Sequence, residues 1–97
     1  MEVIDHPEEL IGERQLSRLR WSCRRGLLEN DLFIERFFKR FDATLTVRQA
    51  QGLSALMDLS DNDLLDLHLA RKEIEAVDTA LDRPEIREVL SMLRQTA

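Results

Sequence analysis

Cysteine is nearly missing from this 97-residue chain. Cys23 stands alone, which excludes an intramolecular disulfide and a thiolate zinc cluster. Such usage suits a reducing cytosol. Three glycines and two prolines leave no room for long linkers, low-complexity runs or collagen-like repeats, and no internal repeat is present. No uninterrupted apolar run approaches about 18 residues, so nothing is expected to span a bilayer. The opening residues, M-E-V-I-D-H-P-E-E-L, are acidic. They lack the sections of a secretory signal and the arginine and serine of a mitochondrial presequence, and a cytoplasmic protein is expected. Enzyme signatures are absent too: there is no H-E-x-x-H, no phosphate-cradling glycine loop and no nucleophile elbow.

What is present fits one small domain. With 43% hydrophobic residues the chain can build one core, burying on the order of 60–65% of its surface, with little room to enclose a cofactor. The net charge of −5 is unevenly spread. Arg14 to Arg40 holds eight basic and three acidic residues, a balance of +5, and the remainder holds six basic and sixteen acidic, a balance of −10. One positive face on an acidic body follows.

Helical periodicity dominates, and the spacing predicts an all-α bundle of about five helices over residues 13–97, preceded by a mobile acidic tail over residues 1–12. A first helix runs from about Glu13 to Arg24 with Leu16, Leu19 and Cys23 inward, and Gly26 ends it. A second runs from about Leu28 to Phe41. Ile34, Phe37, Phe38 and Phe41 form its stripe, which Leu28 and Leu32 extend. Thr46 and Gln49 make a capping-box pattern that opens a third helix to about Asp58, weakened slightly by Gly52. Ser60 caps a fourth helix carrying Leu64, Leu65, Leu67 and Leu69, and Asp61 and Asp63 suit its positive end. Residues 72–81 read as a loop with a short turn. Asp82 offers the last N-cap, with Pro84 in the first turn and Ile86, Val89, Leu90 and Leu93 inward.

Candidate catalysts are few. Cys23 reads as a small buried hydrophobe rather than a reactive thiol. His68 reads as a core-edge or surface residue, and His6 lies in the tail. Glu29 and Asp31 point to different sides of their helix, which argues against a shared proton. Five arginines between Arg14 and Arg25 suit either phosphate contacts or pairing with a partner's carboxylates. Trp21 has two open readings, an anchor for a partner or a cover over the joint between the first two helices.

The stretch W-S-C-R-R-G-L-L-E, from Trp21 to Glu29, joins these features. An R-G-x-x-E pattern falls where two helices meet, with Trp21 and Cys23 upstream and Asp31 downstream. Together with the R-x-x-W-x-C-R-R-G lead-in and the leucine-and-aspartate segment at 56–67, it resembles the succinate dehydrogenase assembly factor 2 family, the bacterial SdhE flavinylation factors. The resemblance covers roughly residues 14–95. It implies a non-enzymatic assembly factor that binds the flavoprotein subunit of succinate dehydrogenase, and of fumarate reductase in bacteria, and promotes covalent FAD attachment. No FAD is expected to be stably bound. Arg25, Gly26 and Glu29 match the docking motif position by position, with Trp21, Arg24 and Asp31 as neighbours on the same surface. A monomer when free is expected. The alternative from another class is a small helical nucleic-acid-binding regulator using residues 14–25.

Overall fold

The computed structural model describes residues 9–24 and 26–95, and its named elements are all helices or helical turns. In chain order the elements are α1 (Glu13–Ser22), α2 (Leu28–Phe41), α3 (Val47–Leu56), α4 (Asp61–His68), the single turn α5 (Ile74–Val77), a 3-10 turn (Thr79–Leu81) and α6 (Pro84–Gln95). The segment 72–81 thus holds two short turns. Only Ile74 in it is buried, and with one anchor it shows no period in the sequence.

Local chemistry explains several helix ends. Thr46 Oγ1 accepts from the Gln49 amide at 3.1 Å, and Gln49 Oε1 accepts from the Thr46 amide at 3.0 Å, completing the capping box. Ser60 Oγ accepts from the Asp63 amide at 3.2 Å, with Asp61 and Asp63 in the first turn of α4. Asp82 does not cap α6. Its carboxylate takes the Arg87 guanidinium, while the Arg83 carbonyl accepts from Ile86 and Arg87. α4 ends in a Schellman turn, in which Arg71 donates to the Asp66 carbonyl at 2.8 Å and Ala70 to that of Leu67 at 3.1 Å. The left-handed position, φ 58°, falls on Ala70.

The core gathers Leu19 and Cys23 of α1, Phe37 and Phe38 of α2, and Leu53, Leu64, Leu67, Ile86, Val89 and Leu93 from the other helices. α3 and α6 pack most extensively. Gly52 makes their crossing possible: a Cβ there would lie 2.6 Å from the Glu85 carbonyl oxygen and 3.1 Å from Val89 Cγ2. It is a contact glycine, more than the weak point in a helix that the sequence suggests.

Several assignments change. Leu28 and Leu32 are exposed, at 68% and 40%. The buried side of α2 is Asn30, Phe33, Ile34, Phe37 and Phe38, so an amide, not Leu28 or Leu32, extends the stripe toward the start of the helix. His68, expected at the core edge or surface, is buried, and its ring stacks on Phe33 with centroids 4.6 Å apart. Finally, residues 9–12 of the expected tail are paired. Val47 donates to the Glu9 carbonyl at 2.8 Å and Ile11 to that of Leu45 at 3.1 Å, around an antiparallel bridge between Leu10 and Thr46. Residues 1–8, with His6, lie outside the described residues.

Candidate docking surface

The junction of α1 and α2 is built from a close and an open half. On the close side Cys23 is fully buried, its amide donates to Leu19 at 3.0 Å, and Ser22 Oγ donates to the same carbonyl at 2.9 Å. α1 ends at Ser22 with Cys23 as its C-cap, before Gly26 is reached, so the glycine does not terminate the helix. On the open side Arg24, Gly26, Leu28 and Glu29 are exposed. Leu27 precedes α2 in an extended conformation and its carbonyl accepts from the Asp31 amide at 3.2 Å.

Gly26 is required neither by its backbone, which has no positive φ, nor by its packing. A Cβ would meet a single atom, Asp61 Oδ2, at 3.9 Å. A glycine that the fold does not demand, on an exposed turn, is free to serve a contact from outside.

Beside it runs a groove of about 560 Å³ between α1 and α2. Cys23, Ile34 and Phe38 form an apolar floor, Arg20 and Arg24 a basic wall, and Asp31 and Glu35 an acidic one. Trp21 is 74% exposed on the rim, with the Arg24 guanidinium 5.3 Å from its ring centre. It does not cover the joint. Arg20 lies over Phe38 at 5.5 Å and pairs with Asp42 at 3.8 Å. Asp31, half-buried, faces the groove, and Glu29, about 200° away around the helix, lies on the other flank of exposed Leu28.

The structure therefore places Trp21, Arg24, Gly26, Glu29 and Asp31 around one junction, while Arg25 lies outside the described residues. Glu29 is not tucked inside. The buried thiol of Cys23 is not offered to solvent. Among the described residues no group of three metal-ligating side chains and no helix long and apolar enough to cross a membrane occurs.

One cluster beneath the junction escaped the sequence reading. Asn30 Nδ2 donates to the Asp61 carbonyl at 2.9 Å, and Asn30 Oδ1 lies 3.0 Å from His68 Nδ1. The only trace in the sequence is a polar residue on the stripe 30, 33, 34, 37, 38. Its partners lie 31 and 38 residues away, beyond any local pattern.

Residues 17–97 match the family model described as flavinator of succinate dehydrogenase. The chain is 55% identical over 78 residues to the FAD assembly factor SdhE of Ralstonia nicotianae, covering 80% of this chain and 79% of that protein. It is 32% identical over 84 residues to the FAD assembly factor SdhE of Legionella pneumophila, covering 87% and 96%. The protein of the same description from Coxiella burnetii is 39% identical over 49 residues, half of this chain. No solved structure gives a significant match. A model match over most of the length, together with relatives matched over most of their own length, makes this chain a member of the succinate dehydrogenase flavinator family.

Proposed function

We propose that this protein is an assembly factor that docks on the flavoprotein subunit of succinate dehydrogenase and promotes covalent attachment of FAD there. The observation that carries the reading is Gly26, an exposed glycine dispensable to its own fold, beside exposed Glu29 and Trp21. The names of its relatives point the same way.

The factor acts by binding rather than by a catalytic group of its own. Bonding FAD to a histidine of the partner requires that histidine to be held near the flavin, and such positioning supplies several kcal/mol. A helper that prefers one conformation of the flavoprotein raises its population. Gly26 gives close backbone approach, and Arg25 and Glu29 supply charge-assisted hydrogen bonds that fix orientation. Trp21 and Leu28 add apolar area, and Arg24 and Asp31 set the charge of the groove walls. The same chemistry extends to the flavoprotein of fumarate reductase. The free factor is a monomer in the bacterial cytoplasm and holds no FAD of its own.

Nucleic-acid binding is the weaker reading. Arg20 is engaged with Asp42 and Phe38, Arg24 lies over Trp21, and the body is acidic. The test is to replace Gly26 by arginine and Glu29 by alanine in cells lacking any other copy, then to score flavin fluorescence of the partner subunit in a denaturing gel. Loss of the signal is expected. Undiminished flavinylation in both variants rejects the site, and salt-sensitive binding to DNA or RNA favours the rival.

A further inference from the structure

We propose that Asn30 is a positioning residue for docking: its buried amide fixes the first turn of α2, and Glu29 with it, against the first turn of α4. The inference rests on the docking reading above. Asn30 is completely buried in a small apolar core, where an amide is costly unless its donors and acceptor are used. Its Nδ2 donates to the Asp61 carbonyl at 2.9 Å and approaches Asp61 Oδ1 at 3.4 Å. That orientation leaves Oδ1 as the acceptor facing His68 Nδ1 at 3.0 Å, so the proton belongs on Nδ1 of the imidazole. The ring is held in turn by Phe33.

One side chain thus joins the start of α2 to both ends of α4. The consequence falls on the motif. Asp61 Oδ2 stands 3.9 Å from where a side chain at Gly26 would begin, and Glu29 is the residue before Asn30. The amide sets how far the Glu29 carboxylate sits from the bare backbone at Gly26, and at which angle. An apolar side chain fills position 30 without specifying that offset. Buried polar pairs retained in small cores are best attested as devices that fix register.

The test separates geometry from stability. Asn30→Ala leaves the His68 Nδ1 donor without its acceptor and lowers the melting temperature. Asn30→Ala combined with His68→Leu removes both polar partners at similar total size and recovers much of the loss. Gly52→Ala, at the α3–α6 crossing, supplies a destabilised control that leaves the Asn30 hydrogen bonds in place. For each variant the melting temperature and the dissociation constant for the FAD-loaded flavoprotein subunit are measured well below melting. Both Asn30 variants are expected to bind about tenfold or more weakly, the scale of one misplaced charge-assisted hydrogen bond, while Gly52→Ala binds as wild type. Flavinylation by the Asn30 variants should return at high factor concentration, as an affinity defect requires. Wild-type binding by the double variant, or equal weakening in Gly52→Ala, overturns the role of Asn30 and leaves the docking reading standing. Equal binding by wild type and Gly26→Arg overturns the docking reading itself.

Discussion

Two glycines in this chain should respond oppositely to the same methyl group. At Gly52 the added Cβ lies 2.6 Å from the Glu85 carbonyl oxygen and 3.0 Å from its carbon, and the obstacle is backbone. Alanine gains roughly 0.5–1 kcal/mol in helix propensity, but forcing α3 from α6 costs about 1–3 kcal/mol. The net is a loss of about 1–2 kcal/mol, or roughly 5–15 °C in a domain of this size. At Gly26 the methyl meets only Asp61 Oδ2 at 3.9 Å and no positive φ opposes it, so stability should stay within about 0.5 kcal/mol. If a partner's surface packs on that turn, the methyl costs about 1–3 kcal/mol of overpacking in the complex, a five- to hundredfold weaker dissociation constant. Thermal circular dichroism and titration against the flavoprotein subunit read the two axes. Gly52→Ala should move the first and Gly26→Ala the second. Unchanged affinity in Gly26→Ala would refute the close-approach argument, and an unchanged melting temperature in Gly52→Ala would refute the packing argument.

Other outcomes follow from single features. Ala70→Gly should stabilise the protein by about 0.5–1 kcal/mol in urea denaturation, because alanine at φ 58° carries a left-handed strain that glycine lacks. Trp21→Ala should change stability by no more than about 1 kcal/mol, since the ring is 74% exposed and loses the Arg24 cation–π contact, yet weaken docking by about 2 kcal/mol if it anchors the partner. The Asp82 carboxyl is held below its usual value by its hydrogen bond from Arg87, so its stabilising contribution is present above the unfolded carboxylate range and lost as pH falls through the lowered value. Arg87→Ala should move that titration back up in carbon-detected NMR.

Much of the fold is local and therefore legible. The bounds of α2 follow from its apolar spacing, the start of α3 from a capping box between residues three apart, and the start of α6 from Pro84. The residues around the α1–α2 junction were legible in the same way, because the turn between two successive helices is contiguous in sequence. Leu28 and Leu32 misled because helical spacing gives a face but not its edge. α4 contacts α2 at Asn30 and Phe33, which rotates the inward side away from both leucines. Short turns between 72 and 81 carry too few buried residues to show a period.

The amino-acid order by itself determined where helices begin, which residues pack inward on most of them, and that charge and glycine meet at one junction. Propensity, capping and periodicity act within a few residues, so they need no partner. Tertiary structure alone decided that Gly52 is a crossing point and Gly26 is not. It also brought Asn30, Asp61 and His68 into one buried cluster. Steric fit and the satisfaction of a buried amide depend on atoms brought together from over thirty residues apart, and no local rule encodes that meeting.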